Sequence, residues 1–324
     1  QLVDAITGAH LWAETFDRQF QPDQIFVLQD DLVPRIVSTC GDHFGVLARS
    51  ISEAVRGKET SNLTPYEALM RGFGYHYRLN AEEHAEARKI LEKAVDQAPG
   101  NADCWAMLSW TYSHEYGHGF NPQTGSLDRA LAAARRAVDL APSNHLAYQT
   151  LAVALFFRKD KEGCMSAVER AMTLNPLDAS NEGIFLITFM DDWERGCALI
   201  RRAMELNPYV PGWYRLILAL NEYRKANYRG AVTEAVRANA RGVWSDIVLS
   251  AAYGQLDEPD EAHQRLQNLV TEKEDFRESG REMLAKWLDP EFVEHLIRLG
   301  REGFVEVAAQ LAGGREARRE LHAF

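Results

Sequence analysis

A long stretch near the start of the chain, residues 22–56, carries apolar residues at the spacing of an α-helix. The apolar positions are Ile25, Leu28, Leu32, Ile36 and Val37, followed by Val46, Leu47 and Ile51. Pro34, Gly41 and Gly45 fall inside this stretch and favour a kink or a break. The pattern therefore predicts one interrupted helix, which we assign to a linker covering residues 21–57.

Short strand-like runs come before this helix. Residues 1–5 and 10–16 are separated by Thr7 and Gly8, which favour a turn. An isolated two-stranded hairpin is only marginally stable in water. We therefore interpret residues 1–20 as the last strands of a sheet that belongs to an upstream α/β domain.

Beyond residue 60 the hydrophobic pattern repeats. Each of four helical stretches is followed, after two or three residues, by a second amphipathic helix. The four stretches end in Gln97-Ala-Pro99, Leu140-Ala-Pro142, Leu174-Asn-Pro176 and Leu206-Asn-Pro208. Their prolines are 43, 34 and 32 residues apart. A repeat of two helices predicts an all-α array in which each pair buries a face against its neighbour.

The residues inside these repeats resemble the tetratricopeptide (TPR) family. The chain reads Trp105-x2-Leu108-Ser109-x2-Tyr112 and Tyr148-x2-Leu151-Ala152-x2-Leu155, and small residues recur where the helices of a pair cross, at Ala87, Ala130, Cys164, Gly196 or Cys197, Ala231 and Ala262. Small side chains allow two helix backbones to approach closely. The resemblance covers residues 60–270 and implies five to six helix pairs in an α-α superhelix. Residues 271–324 are then expected to be C-terminal capping helices.

Both ends of the chain resemble a more specific group of proteins. The run from Gln1 to Arg18 and the closing segment Trp287-Leu-Asp-Pro290 are similar to parts of multidomain bacterial signalling proteins. In those proteins a TolB-like α/β tail precedes the TPR array, and the head is commonly a class III adenylate or guanylate cyclase domain, or less often a winged-helix DNA-binding domain. The resemblance implies a regulatory region of a larger protein. The catalytic residues of such a head lie outside these residues.

Composition narrows the function further. The 324 residues carry 36 Lys and Arg against 47 Asp and Glu, a net charge of -11 that disfavours nucleic-acid binding. The four cysteines show no C-x-x-C pair, as expected in a reducing compartment. No apolar run is long enough to span a bilayer, and no signal peptide is visible. We expect a cytoplasmic protein that binds neither nucleic acid nor membrane, and we interpret Gln1 as a cut in a longer chain.

One segment resembles a metal site. His114, Glu115 and His118 form H-E-x-x-H, which on a continuous helix can bind zinc with the glutamate as general base. Gly117 and Gly119 make that helix doubtful, and no third ligand follows at the expected spacing. A zinc-dependent hydrolase is therefore kept as an alternative, and a loop role is favoured. The ten histidines, His76 and His145 among them, are interpreted as surface or cap residues.

The remaining candidate is the concave face of the array. No phosphate-binding loop, nucleophile elbow or dinucleotide fingerprint is present, so we expect no catalytic residue and no cofactor. The first helix of each pair lines the concave face in the TPR family. Carried over to this sequence, that resemblance nominates Trp110, Gln149, Val153, Phe156, Ile187, Met190, Arg215 and Tyr223. Packing inside the array is the open alternative for each of them.

These residues predict a non-catalytic scaffold for protein–protein interaction. An apolar groove with aromatic edges suits an amphipathic helix or an extended peptide. The partner is expected to be a protein or peptide, with the upstream domain of the same protein as one candidate. A structural oligomer or homodimer stays open as another alternative, because the strands of residues 1–18 present edges that invite pairing.

Overall fold

The computed structural model describes residues 1–5, 7–17, 25–178, 184, 187, 191–240 and 242–297. Within them the protein is built from α-helices, apart from a short antiparallel hairpin at the start in which Leu2 faces Trp12 and Val3 faces His10. The described residues divide into two compact units: those up to residue 187 and residues 194–211 form the first, and residues 191–193 and 212–297 form the second.

The first unit contains the hairpin and the longer series of helices. Its elements are β1 (Leu2–Val3), β2 (His10–Trp12), α1 (Ile25–Gly41), α2 (Val46–Val55), α3 (Pro65–Arg78), α4 (Ala81–Gln97), α5 (Ala102–Gly117), α6 (Ser126–Leu140), α7 (His145–Phe157), α8 (Lys161–Leu174) and α9 (Trp193–Leu206), with a short 3-10 turn at Thr60–Asn62. The interruption expected from glycine falls between Gly41 and Val46, whereas Pro34 lies inside α1.

The second unit continues the same pattern of paired helices. Its elements are α10 (Trp213–Arg224), α11 (Tyr228–Arg237), α12 (Val243–Gln255), α13 (Pro259–Glu272) and α14 (Phe276–Ala285). Met283 and Leu284 of α14 pack with Ile247 of α12 and Leu269 of α13 in one buried cluster. This cluster gives the second unit a hydrophobic core of its own.

Side-chain caps fix where six of the described helices begin. At the start of α3, the Thr64 hydroxyl accepts a hydrogen bond from the Glu67 amide, and the Glu67 carboxylate accepts one from the Thr64 amide. Five further helices, α4, α5, α7, α8 and α11, begin with a side chain that accepts one backbone N–H of the first turn; these side chains are Asn80, Asn101, Asn144, Asp160 and Asn227. Each cap satisfies a backbone N–H group that has no partner inside its helix.

The helices pair where the sequence places its small residues. The predicted crossing residues Ala87, Ala130, Cys164, Cys197, Ala231 and Ala262 are all 3% exposed or less. Neighbouring helices pack as α3 with α4, α5 with α6, α7 with α8, α10 with α11 and α12 with α13. Five pairs are therefore complete in the described part of the chain, which confirms the all-α fold of repeated helix pairs.

Candidate functional site

The most unusual feature of the first unit is the loop between α1 and α2, residues 42–45. Its backbone is tight, because the amides of Phe44 and Gly45 donate to the side chain and the carbonyl of Asp42 at 2.7 Å each. Position 45 has no room for a side chain: a Cβ there would lie 2.8 Å from the carbonyl oxygen of Thr39. The loop therefore presents His43 and Phe44 side by side.

Phe44 enters the side of the array that α3 and α5 line. It is 2% exposed and makes edge-to-face contacts with Phe73, Tyr77 and Trp110, at centroid distances of 6.3, 5.7 and 6.5 Å. The Tyr77 hydroxyl donates to the Phe44 carbonyl at 2.9 Å. Edge-to-face aromatic pairs add to the stabilisation that burial provides. The loop is thus held by packing and by a hydrogen bond.

His43 joins three elements that are distant in sequence. Its Nε2 lies 3.0 Å from Asp178 Oδ2, in the turn after α8, and its ring stacks on Phe73 and on His145 at 5.2 Å each. His145 Nε2 lies 3.8 Å from the same carboxylate oxygen. Gln149 Nε2 donates to that oxygen at 2.6 Å. Two imidazoles and an amide therefore converge on one carboxylate oxygen.

The electrostatics of this cluster favour a charged pair. Burial alone would lower the pKa of His43, but the charge of Asp42 and the hydrogen bond and charge of Asp178 raise that pKa to about 9. Burial alone would raise the pKa of Asp178, yet its contacts with the two histidines and Gln149 hold it well below its usual range. An imidazolium and a carboxylate are thus both stable here, beneath the surface.

The structure places most of the nominated concave-face residues in the interior. Trp110, Gln149, Val153, Phe156, Ile187 and Tyr223 are all 7% exposed or less. Arg215 is partly exposed and pairs with Glu234 at 2.8 Å, and Met190 lies outside the described residues. Two of these side chains are covered by the α1–α2 loop cluster: Trp110 contacts Phe44, and Gln149 donates a hydrogen bond to Asp178. Burial favours the packing alternative for these six side chains.

The H-E-x-x-H segment lies on a continuous helix, contrary to the expectation from its glycines. Helix α5 extends to Gly117, and His118 caps it. Tyr75 Oη lies 3.1 Å from His114 Nδ1, and His118 stacks on Phe120 at 5.1 Å. Burial, the first cause, together with neighbouring histidines lowers the pKa of both imidazoles, that of His118 to about 3. The histidines are packed as neutral core residues.

Glu115, the candidate base, already has several partners. Its carboxylate is fully buried, and it pairs with Arg88 at 2.8 Å and Arg129 at 2.5 Å. The same group accepts the backbone N–H of Gln123 at 2.9 Å. Residues 118–125 connect α5 to α6, so Glu115 holds this loop against α4 and α6. Both oxygens of the carboxylate are therefore taken up by structural partners.

Histidine burial is where sequence reasoning was wrong. His76 is 1% exposed and His84 is fully buried, although the histidines were interpreted as surface or cap residues. Among the described residues, the group that brings three potential ligand atoms within 4.8 Å of one another is His43, His145 and Asp178. They are separated by more than 30 residues in sequence, so no local spacing could have indicated them.

Helix α1 carries a second unusual surface. Four apolar side chains of this helix are exposed: Phe26 by 74%, Val27 by 68%, Val33 by 45% and Val37 by 50%. We call these four residues the α1 apolar face. Large apolar groups exposed together on one element often mark an interaction site.

Solved structures with similar folds identify the type of helical repeat. No protein-family model matches the chain. The crystal structure of the Cut9–Hcn1 hetero-tetramer of the APC/C has a TM-score of 0.50 at 15% identity, covering 82% of this chain and 51% of that one. A tetratricopeptide repeat protein from Parabacteroides merdae ATCC 43184 has a TM-score of 0.39 at 14% identity, covering 73% and 98%. The chain has the tetratricopeptide-repeat fold.

The TPR chain is also similar to one curated protein. A putative adenylate cyclase 3 from Rhizobium meliloti (strain 1021) is 31% identical over 158 residues, which make up 48% of this chain and 26% of that protein. The TPR chain thus spans about a quarter of the length of the relative it matches. The expected resemblance to TPR proteins, and to the TPR region of cyclase-type proteins, is confirmed. No helix in the described part of the TPR chain has both the length and the apolarity that crossing a bilayer requires.

Proposed function

We propose that this chain is the regulatory TPR region of a larger bacterial protein resembling adenylate cyclases, and that it acts in the cytoplasm as a non-catalytic scaffold for protein partners. The likeness to a putative adenylate cyclase over 158 residues supports the larger protein. The TPR fold supports a scaffold, since stacked helix pairs create extended binding surfaces.

The observation that carries this proposal is the position of the α1–α2 loop. The loop lies upstream of the repeats in sequence, yet Phe44 packs between α3 and α5, and His43 reaches α7. On this proposal the α1–α2 loop, which connects the repeats to the upstream domain, itself occupies part of the groove. A partner that changes how this segment is seated would change the upstream domain as well, which is a coupling between two sites.

The test begins with the natural protein. An antibody to this region should detect a mass well above 36.6 kDa in native cells. The full-length protein should then convert ATP to cyclic AMP. A mass near 36.6 kDa, or a full-length protein without cyclase activity, would contradict the signalling part of the proposal.

The coupling is tested in that full-length protein with Phe44→Ala. Losing the buried ring should unseat the loop and change the rate of cyclic AMP formation by about fivefold or more. Tyr66→Ala is the matched control, because Tyr66 is an aromatic residue of α3 that is 54% exposed. Circular dichroism of both variants should stay near wild type. If amide hydrogen exchange shows that the loop is loosened in Phe44→Ala but the rate of cyclic AMP formation is unchanged, the loop does not regulate the upstream domain.

The α1 apolar face is the proposed contact with the upstream domain. It follows the hairpin along the chain, and Arg35 of the same helix pairs with Glu14 at 3.4 Å. The double substitution Phe26→Ser and Val27→Ser should loosen this contact and expose new cleavage sites to a protease in the full-length protein. If sedimentation instead shows dimers of the wild-type chain that the double substitution dissociates, a second copy is the partner.

A further inference from the structure

The cluster of His43, His145 and Asp178 has the composition of a transition-metal site. Two imidazole nitrogens and one carboxylate oxygen are a donor set that zinc accepts, with a fourth position left for water or another ligand. All three candidate donor atoms lie within 4.8 Å of one another. The residues come from the α1–α2 loop, the start of α7 and the turn after α8.

The distances suit a shared ion. In a tetrahedral site with bonds of about 2.1 Å, neighbouring donor atoms lie about 3.4 Å apart. Asp178 Oδ2 lies 3.0 Å from His43 Nε2 and 3.8 Å from His145 Nε2, one slightly below and one slightly above that separation. The two rings are nearly parallel, with an interplanar angle of 14°. When the ion binds, His43 releases to solvent the proton that it carries in the metal-free chain, and small side-chain adjustments then bring all three donors onto one ion.

An unsatisfied group points to the same conclusion. His145 Nε2 is buried and has no hydrogen-bond partner within the described part of the chain. At 3.8 Å the carboxylate is beyond hydrogen-bond distance. A buried nitrogen that faces a carboxylate without bonding it costs free energy, and a metal ion bonded to both removes that cost. An ion pair of His43 with Asp178 alone leaves this atom unexplained.

The surroundings hold the donors in place as metal sites require. Gln149 donates to Asp178 Oδ2 at 2.6 Å, which orients the carboxylate. Phe73 stacks on the His43 ring at 5.2 Å with an interplanar angle of 4°, which fixes the plane of the imidazole. Asp42 adds a second negative charge beside His43. Together the two carboxylates balance the charge of a divalent cation.

We propose that His43, His145 and Asp178 bind a divalent transition-metal ion of the zinc type, which joins the α1–α2 loop to α7 and to the turn after α8. The ion makes the seating of the loop in the TPR groove depend on metal. This site is distinct from the H-E-x-x-H segment, and it does not require an upstream cyclase, so it is tested separately from the proposed function.

The experiment titrates Zn²⁺ into the metal-free chain and follows binding by calorimetry. We expect one Zn²⁺ per chain. His145→Ala and Asp178→Asn should weaken binding by about a hundredfold or more, because each removes a ligand. Gln149→Met should weaken it by about tenfold, since it removes only the group that orients Asp178. Circular dichroism shows whether each variant is folded, and Asp178→Asn keeps the volume of the side chain.

Two variants serve as controls and decide between sites. His10→Ala removes an exposed histidine of β2, and His118→Ala removes a histidine of the H-E-x-x-H segment; both should bind Zn²⁺ as wild type does. In the wild type, Zn²⁺ should also slow amide hydrogen exchange in residues 42–45, and this protection should be absent in His145→Ala. The proposal is overturned if no Zn²⁺ binds, or if binding survives His145→Ala and is lost in His118→Ala.

Discussion

Glu115 is the residue whose environment most clearly separates a structural role from a catalytic one. Its buried carboxylate pairs with Arg88 and Arg129 and accepts the amide of Gln123. Glu115→Gln keeps the volume but removes the charge that both guanidinium groups need. Breaking a buried ion pair costs about 3–5 kcal/mol, and we expect a loss near the lower end because Arg129 is 29% exposed.

Urea denaturation measures that change in the free energy of unfolding. Glu205→Gln is the matched control, because Glu205 lies on α9 with 66% of its side chain exposed and pairs with Arg202 across one helical turn. Exposed pairs of this kind contribute about 0.5 kcal/mol or less. Equal effects of the two substitutions would contradict the role of Glu115 as the fastener of residues 118–125.

His76 gives the protein a dependence on pH that follows from burial. Burial lowers its pKa to about 3, and the charge of His43 acts in the same direction. In the unfolded chain the pKa of histidine is about 6.5, so the unfolded state binds the proton first as the pH falls. The free energy of unfolding should therefore decrease by roughly 1.4 kcal/mol for each pH unit below 6.5 from this group.

His76→Phe should flatten that dependence. His76 Nε2 is buried without a hydrogen-bond partner in the described part of the chain, so an apolar ring loses no bond at this atom. His43, with a pKa of about 9 in the folded state, contributes a slope of opposite sign near pH 6.5 to 7, and it does so in the wild type and in the variant alike. Thermal unfolding from pH 7 to pH 5 is the measurement. A slope as steep in the variant as in the wild type would show that other groups dominate.

Residue by residue, the sequence predicted some environments and missed others. The small residues at helix crossings, such as Ala87, Ala130 and Cys164, were predicted because their spacing repeats with the array. The prediction that His76 lies at the surface was wrong, because its burial depends on Phe44 and Trp110, which approach from other elements. Periodicity reports which face of a helix is covered, but it does not report what covers it.

At the scale of elements, the α1–α2 loop depends on one glycine. Gly45→Ala would place a Cβ 2.8 Å from the Thr39 carbonyl and 2.9 Å from the Asp42 carbonyl, so backbone must move. Such steric conflicts cost about 1–3 kcal/mol. We expect faster amide hydrogen exchange in residues 38–46. Gly57→Ala is the control, since a Cβ there meets nothing within 4 Å. Unchanged exchange in Gly45→Ala would mean that the loop is not held as described.

The sequence predicted where this element breaks but not where it goes. Gly41 and Gly45 indicated an interruption, and the helices do end and begin there. The loop packs against α3 and α5 because Phe44 lies between Phe73 and Trp110, which are 29 and 66 residues further along the chain. A contact at that separation leaves no periodic trace, so the site was visible only in three dimensions.

At the scale of the whole molecule, the repeated prolines and the small crossing residues pointed to the same fold. Agreement between local and global signals is what makes a fold recognisable from sequence. The division into two compact units was not predicted. It depends on which helices contact one another within each unit, and sequence spacing alone does not specify such contacts.

This division predicts that the units respond separately to damage in their cores. Leu269 is 1% exposed in the buried cluster of the second unit, and Leu91 of α4 is fully buried in the first. Replacing a buried leucine by alanine costs about 2–5 kcal/mol, and in repeat proteins that loss spreads chiefly to nearest neighbours. Leu269→Ala should therefore speed amide hydrogen exchange in residues 243–297 far more than in residues 65–157, and Leu91→Ala should do the reverse. If each substitution accelerates exchange equally in both ranges, the chain unfolds as one cooperative block, and partner binding at one end would be felt throughout.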